Sequence, residues 1–139
     1  RCSIGQTWNT STQTCDGTAG SYSWASAMAN WPANAEWRLP TIAELRTLVY
    51  CSSGTPILID MTYNLTSCSG AYQKPTIVSW AFPNTPGLSG SVSYWSSTPG
   101  STHDPNDPIR AWYAYTSGGM VAGTFRENPF FIRLVRDGQ

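Results

Sequence analysis

The chain has 139 residues, which suits one domain of ordinary size, and we expect residues 1–139 to form a single domain. Its formal net charge is zero and its pI is about 6.7, so overall charge gives no reason to expect nucleic acid or membrane as a partner. Charged residues make up only 12% and aromatic residues 13% of the chain, a composition that favours an extracellular, loop-rich domain.

Four cysteines permit three disulfide pairings, and their spacing does not match a zinc site. We favour Cys2 with Cys15 and Cys51 with Cys68, because each pair then closes a short polar loop and stabilises the fold by roughly 3 kcal/mol. Disulfides indicate an oxidising compartment, so we expect a secreted or cell-surface protein.

No run approaches the ~18 apolar residues of a membrane span, and we expect no membrane insertion. The chain begins with Arg1 rather than Met, which we interpret as a processed end or an artificial boundary.

The first part of the chain is predicted to be irregular and then helical. Residues 1–21 are rich in turn formers and are predicted to be a disulfide-tied loop, with Trp8 as its anchor to the core. Residues 22–30 are predicted to form a short helix that Ser23 caps and that ends at Trp31 and Pro32.

The most clearly marked segment covers residues 37–51 and predicts a short strand, a sharp turn and a helix. Pro40 keeps Leu39 out of the α region, and Thr41 with Glu44 makes a capping box, so the helix is predicted to begin at about Thr41. The residues at the spacing of one apolar face, which must pack on a core, are Ile42, Leu45, Leu48 and Val49.

The second half of the chain is predicted to be mostly strands. Residues 51–74 are predicted to be irregular, with a brief strand at 57–59. Strands are then predicted at 76–82, 93–97, 110–116, 120–125 and 130–136, and a Ser-Gly-Gly turn joins the third and fourth of these into a hairpin. In the first of them, Val78, Trp80 and Phe82 would share one face. Helices followed by strands are typical of an α+β fold.

The sequence offers few residues for catalysis, so we predict a protein that is not an enzyme and needs no cofactor. The single histidine, His103, has no obvious nucleophile and is interpreted as an exposed loop residue. No phosphate-binding loop, dinucleotide fingerprint or metalloprotease helix occurs. The nearby Asp104, Asn106 and Asp107 carry the oxygen ligands that Ca²⁺ prefers, but we favour the alternative that they form ordinary turns and predict no metal site.

Basic residues concentrate near the end of the chain. Residues 110–139 hold four arginines against two carboxylates, whereas residues 1–109 hold four basic groups against six acidic ones. Guanidinium groups bind sulfate, phosphate and carboxylate well, so an anionic polysaccharide is the candidate ligand. The residues predicted to bind it are Arg110, Arg126, Arg133, Arg136 and Lys74. The alternative is that Arg133 and Arg136 are structural partners of Glu44, Glu36 or Asp60, and Arg133 is the more structural of the two because it shares a strand face with apolar neighbours.

The aromatic residues of the strands could also present flat faces to sugar rings. Most aromatic side chains in strands fill the core, so we predict that roughly two thirds of them are buried. They are Tyr94, Trp95, Trp112, Tyr113 and Tyr115.

Several motifs occur in an order that resembles a known family. They are Cys2-Ser3-Ile4-Gly5-Gln6-Thr7-Trp8, Trp37-Arg38-Leu39-Pro40-Thr41 with Glu44-Leu45, Tyr94-Trp95-Ser96-Ser97, Ala111-Trp112-Tyr113 and Ile132-Arg133-Leu134-Val135-Arg136. In this order they resemble the bacterial extracellular domain family named after the C-terminal domain of the Legionella collagen-like adhesin. The resemblance implies a C-type-lectin-like fold, with two helices, a long loop region and a twisted antiparallel sheet.

The same resemblance implies a function in surface adhesion. It implies binding of sulfated glycosaminoglycan by a homotrimer at the end of a collagen-like stalk. The Glu-Pro-Asn and Trp-Asn-Asp ligands of calcium-dependent lectins are missing, and Asp104-Pro105-Asn106 is only a loose match. We therefore predict a non-catalytic adhesin domain that binds anionic polysaccharide; the alternative is a trimerisation or assembly module of a surface fibre, in which the arginines and aromatics form subunit contacts.

Overall fold

The computed structural model describes residues 1–53, 68–86, 92–101 and 103–137. These segments form an α+β fold with a two-stranded hairpin, two short helices and a five-stranded sheet. In chain order the elements are β1 (Thr7–Asn9), β2 (Thr14–Asp16), β3 (Ser21–Tyr22), α1 (Trp24–Asn30), α2 (Ile42–Arg46), β4 (Ser93–Pro99), β5 (Arg110–Tyr115), β6 (Met120–Phe125) and β7 (Phe130–Phe131). None of the helices in the described segments is long and apolar enough to cross a membrane.

The five-stranded sheet has the order β3-β7-β4-β5-β6. The predicted hairpin of β5 and β6 is present, and both β4–β5 and β5–β6 pair antiparallel. The twisted antiparallel sheet that the resemblance implies is not antiparallel throughout, because β7 pairs with β4 in parallel at Tyr94 and Phe131. The sheet is therefore mixed, and β4 lies between the β5–β6 hairpin and β7.

The two helices cover opposite faces of the central strands. Tyr94 belongs to one buried cluster with Ile42 and Leu45 of α2, whereas its neighbour Trp95 belongs to another with Ala27 of α1. Because successive side chains of a strand point to opposite faces, this alternation buries β4 on both sides. Tyr94 and Trp95 are accordingly the largest fully buried side chains of the described residues.

Helix α2 begins as predicted but ends earlier. The Thr41 hydroxyl accepts a hydrogen bond from the Glu44 N–H at 3.2 Å, and the Glu44 carboxylate accepts one from the Thr41 N–H at 2.8 Å, so the capping box is confirmed. The helix stops at Arg46 because the chain turns there and Val49 pairs with Ile77 in an isolated bridge. Helix α1 carries the predicted cap, in which the Ser23 hydroxyl accepts a hydrogen bond from the Ser26 N–H.

Two predicted strands are wrong in most of their length. Residues 76–82 contain only the bridge at Ile77 and then turn, because the N–H groups of Ala81 and Phe82 both donate to the Val78 carbonyl. Trp80, predicted to share a strand face, is 85% exposed.

The last predicted strand, over residues 130–136, is reduced to β7. The chain then leaves the sheet, because the Ile132 carbonyl accepts a hydrogen bond from Ile4 of the N-terminal segment and Val135 pairs with Arg38. The predicted strand at 57–59 lies outside the described residues.

The N-terminal segment is more ordered than predicted. Strands β1 and β2 form a hairpin with Trp8 opposite Cys15, and Trp8 is half-buried under the Arg1 guanidinium, which lies 4.6 Å from its ring centre.

The two predicted disulfides are present, Cys2 with Cys15 and Cys51 with Cys68, each with 5.5 Å between Cα atoms, and no cysteine is free.

Candidate anion-binding surface

The five predicted ligand-binding residues fall into three places. Arg110 begins β5 and Arg126 follows β6, the edge strand, so these two lie together at one end of the β5–β6 hairpin. Arg133 and Arg136 follow β7 and line a groove on the other side of β4. Lys74 is exposed near the Tyr72 ring, at 5.8 Å from its centre, and lines neither place.

Arg110 and Arg126 form what we call the β5–β6 edge patch, with the aromatic rings on which they lie. The Arg126 Nε donates to the Arg110 carbonyl at 2.9 Å, which holds the two residues side by side. The Arg126 guanidinium lies 4.3 Å from the Trp24 ring centre, and that of Arg110 lies 4.8 Å from the ring of Phe125. Cation–π contacts of this kind keep a guanidinium in place through its flat face, so its N–H groups point outward in the plane of the group, where they can donate hydrogen bonds.

Asp107 is the acidic neighbour of this patch. Its carboxylate accepts one hydrogen bond from Arg110, at 3.3 Å, and its backbone carbonyl lies 3.5 Å from the Arg126 Nη2. The Arg110 side chain is still 34% exposed in this arrangement. Asp107 therefore orients the patch without covering it.

A shallow hollow of about 370 Å³ adjoins the patch, with Arg110, Tyr113, Phe125 and His103 in its wall. Gly123 lets the chain at Ser101 lie close against β6 in the wall of this hollow, because a Cβ atom on Gly123 would come within 2.4 Å of the Ser101 Cα. Phe125 is 47% exposed, so an apolar ring face stands beside the Arg110 cation. A sugar ring with a charged substituent can use both kinds of contact.

The residues considered for calcium form turns. The Asp104 carboxylate accepts a hydrogen bond from the Asn106 N–H at 2.8 Å, and the Asp107 carboxylate accepts one from the Ile109 N–H at 3.0 Å. Side chains of Asx turns make such bonds to the chain two residues on. Within residues 1–53, 68–86, 92–101 and 103–137, no three His, Cys, Asp or Glu side chains gather in a group that could hold a metal ion.

Arg133 is buried, with only 4% of its surface exposed. Its Nη2 donates to the Thr85 hydroxyl at 2.6 Å, and its Nη1 donates to the Arg1 carbonyl. Its guanidinium also lies 5.1 Å from the ring of Phe82 and 5.2 Å from that of Tyr94. Burial lowers the pKa of this guanidinium. The alternative that Arg133 pairs with Glu44 or Glu36 is wrong, since its hydrogen bonds go to a hydroxyl and a carbonyl; Asp60 lies outside the described residues.

Arg136 makes a long ion pair with Glu36, one of the structural partners considered for it in the sequence. Its guanidinium is 3.9 Å from the Glu36 carboxylate and 5.1 Å from the Trp37 ring centre. Both charged side chains are more than half exposed, so the pair is weak and Arg136 remains open to a ligand.

Arg38 is the charged residue whose role the sequence analysis missed. Its guanidinium binds both oxygens of Glu44, at 2.9 and 2.8 Å, and also contacts Asp137 at 2.7 Å. The Arg38 contact, together with the hydrogen bonds from Thr41, lowers the pKa of Glu44 to about 2. The sequence does contain a signal for this pair. Arg38 lies just before the turn into α2 and Glu44 lies in the first turn of that helix, so the two side chains are close to each other at its N-terminus.

The Tyr94-Trp95-Ser96-Ser97 motif is structural in every member. The Tyr94 hydroxyl is 2.8 Å from the Ser3 hydroxyl, the Trp95 Nε1 donates to the Tyr22 carbonyl at 2.9 Å, and the Ser96 hydroxyl donates to the Trp112 carbonyl at 2.7 Å. The Ser97 N–H donates to the Pro40 carbonyl at 2.8 Å. Of the five strand aromatics, Tyr94, Trp95 and Trp112 are buried and the other two are half-buried, as core residues are. The Tyr94-Trp95-Ser96-Ser97 motif therefore builds the scaffold, whereas Tyr113 also lies in the wall of the hollow beside the candidate patch.

Comparison with known proteins gives one finding. A family model described as the Lcl C-terminal domain matches residues 2–136. Neither the comparison with curated proteins nor that with solved structures gave a match. Because the family model covers almost the whole chain, the protein belongs to the Lcl C-terminal domain family.

Proposed function

We propose that this chain is a non-catalytic adhesin domain, secreted or exposed on a bacterial surface, that binds a sulfated polysaccharide such as a glycosaminoglycan. Membership of the Lcl C-terminal domain family supports the adhesin role. The two disulfides fit a location in an oxidising compartment. The proposal includes a single domain over residues 1–139 with a C-type-lectin-like fold, which is supported by two helices packed on one sheet and by the disulfide-tied segment between α2 and β4.

The observation that carries the proposal is the β5–β6 edge patch. The hydrogen bond from the Arg126 Nε to the Arg110 carbonyl holds these two residues together, and each guanidinium lies over an aromatic ring. Such a pair offers two donor groups at a defined spacing, which suits sulfate or carboxylate groups along one polysaccharide chain. Arg136 and Lys74 are exposed and are proposed as further contacts for a long chain, whereas buried Arg133 is not.

A second candidate function is the trimerisation or assembly module. It is favoured by large apolar side chains that are exposed in this single chain, since such residues often lie in contacts between subunits. They are Trp37, Tyr50, Trp80, Ile109 and Phe125.

Heparin affinity chromatography with a salt gradient separates the two candidates. The native domain is expected to elute above physiological salt, because binding of a polyanion through several cations falls steeply with salt concentration. A variant with Arg110→Gln and Arg126→Gln should elute much earlier. The matched control is Arg1→Gln with Arg46→Gln, which removes the same charge away from the edge patch and from the other proposed contacts, and it should elute close to the native domain.

Two results would contradict the polysaccharide proposal. If the native domain passed through heparin without retention, the assembly function would be favoured. If the control lost as much retention as the Arg110 and Arg126 variant, binding would depend on overall charge and the edge patch would not be its site.

A further inference from the structure

The wall of the hollow beside the β5–β6 edge patch contains His103, which the polysaccharide proposal does not use. His103 is the single histidine of the chain, and its side chain is exposed. It shares this hollow of about 370 Å³ with Arg110 and the ring of Phe125. A hollow of this size is comparable in width to the Debye length, which is about 10 Å at 0.1 M salt. An anionic group bound at Arg110 would therefore feel a charge on His103.

Histidine is the side chain whose charge ordinarily changes between pH 5 and 8. The other titratable groups in the wall of this hollow keep their charge over that range. Arginine stays protonated, and burial raises the pKa of the Tyr113 phenol, which therefore stays neutral. All four cysteines of the chain are in disulfides and do not titrate. His103 is thus the group through which pH changes the charge of the hollow.

The charged neighbours of His103 lie on its own loop and on the β5–β6 hairpin. The Asp104 and Asp107 carboxylates of the loop accept hydrogen bonds from backbone N–H groups two residues on, and Asp107 also pairs with Arg110. None of the ion pairs among the described residues includes His103. On the hairpin the charged groups are the arginines Arg110 and Arg126. A protonated imidazole would therefore add positive charge to a wall that is already positive.

An anion bound in the hollow reverses this unfavourable balance. A protonated imidazole offers two N–H donors and a positive charge to a sulfate or carboxylate that also contacts Arg110. The anion then favours the protonated form of His103, and by thermodynamic reciprocity the proton favours binding of the anion.

We propose that His103 makes polysaccharide binding at the β5–β6 edge patch pH-dependent, with affinity rising as the pH falls from 8 to 5.5. Protonated His103 gives the patch a third cation beside Arg110 and Arg126, and neutral His103 does not. This inference rests on the proposed function, because it concerns the regulation of the same site.

Fluorescence anisotropy with a labelled heparin octasaccharide, at pH 5.5 and pH 8.0 and constant salt, tests the proposal. The sulfate groups of the probe stay charged at both pH values. The native domain should bind roughly three- to fivefold more tightly at pH 5.5. The slope of log affinity against log salt should also be steeper there, since one more cation takes part. His103→Gln and His103→Lys, whose charges do not change over this range, should each show an affinity ratio near one.

The matched control is Ser11→Lys, which adds the same charge as His103→Lys in the exposed turn between β1 and β2, away from the hollow. It should keep the affinity ratio of the native domain, and a ratio near one for this control would overturn the placement. The Arg1 amino group also titrates near neutral pH, and burial beside Arg133 lowers its pKa. His103→Gln retains this amino group, so a native ratio in His103→Gln would overturn the role of His103.

Proton uptake gives a second readout that a purely structural role of His103 would not produce. Calorimetric titrations with the same octasaccharide at pH 6.5, in buffers with different ionisation enthalpies, should show the native domain taking up a fraction of a proton and His103→Gln taking up none. Equal uptake by the two would overturn the proposal.

The outcome also separates this inference from the proposed function. Equal affinity of the native domain at both pH values would overturn the pH dependence and leave polysaccharide binding standing. Absence of binding at both pH values would contradict the proposed function and overturn this inference with it.

Discussion

Arg38 joins the start of α2 to the end of the described chain. Its guanidinium binds both oxygens of Glu44 and also Asp137, while the same Glu44 carboxylate caps the helix at Thr41. A bidentate arginine–carboxylate pair is geometrically more demanding than an ordinary surface ion pair. Glu44 is therefore the residue through which pH should act on this part of the fold.

The pKa of Glu44 predicts how stability responds to acid. It is lowered from its ordinary value of 4.5 to about 2, mainly by the Arg38 contact. Since the folded pKa is depressed, this stabilisation is fully present above about pH 4.5 and is lost as the pH falls towards 2. The Glu44 side chain is 40% exposed, so solvent screening limits the effect to about 1 kcal/mol.

Urea melts of the native domain and of Glu44→Gln at pH 7 and pH 2 measure this effect. The native domain should be the more stable by about 1 kcal/mol at pH 7, and the difference should shrink towards zero at pH 2. A difference that did not change with pH would show that the carboxylate charge is not what stabilises this contact.

Arg133 and Arg136 lie three residues apart, but substitution by glutamate should destabilise the domain much more at Arg133 than at Arg136. Arg133→Glu would place a carboxylate between the rings of Phe82 and Tyr94, and it should destabilise the domain by about 3–5 kcal/mol. Arg136→Glu changes an exposed pair and should cost at most about 1 kcal/mol. Thermal or denaturant melts compare the two, and similar losses of stability would contradict the burial of Arg133.

At the scale of elements, α2 is short and depends on its packing and its cap. Leu45 is 2% exposed within the cluster around Tyr94, so Leu45→Ala should cost roughly 2–5 kcal/mol. Thr41→Ala should cost about 1 kcal/mol through the lost cap. The exposed Ala43 provides the control, and Ala43→Ser should stay within about 0.5 kcal/mol. Denaturant melts that found Leu45→Ala neutral would contradict the packing of this helix.

Elements that are specified by nearby residues could be predicted from the sequence. The capping box of Thr41 and Glu44 marks the start of α2, and the Ser-Gly-Gly turn marks the β5–β6 hairpin. Residues 76–82 alternate like a strand, but a strand also needs a partner, and the N–H groups of Ala81 and Phe82 bond to Val78 within the segment instead. Alternation alone could not reveal this, because the pairing depends on residues far away in the sequence.

At the scale of the whole molecule, the sheet order explains why the candidate site could be predicted only in part. The four C-terminal arginines are close in sequence, but β4 lies between β7 and the β5–β6 hairpin. Arg110 and Arg126 therefore meet at one edge, while Arg133 and Arg136 line a groove elsewhere. Charge counting along the sequence finds the arginines but not this division, since the division follows from the order of the strands.

The homotrimer that the family resemblance implies also belongs to this scale. Three copies about one axis would present three edge patches, so a long sulfated chain could bridge copies and gain affinity that a short one cannot. Titration with sulfated chains of increasing length should then show affinity rising with length. An affinity independent of length would contradict bridging between copies and indicate one small site in each copy.

The central claim is that a sulfated polysaccharide binds at the β5–β6 edge patch, and NMR mapping tests it most directly. A short sulfated heparin oligosaccharide is titrated into the isotope-labelled domain while the backbone amides are followed. The largest shifts are expected at Arg110, Phe125 and Arg126, with little change at Leu134 and Val135 in the groove. Shifts centred on the groove, or no saturable shifts at all, would contradict the claim.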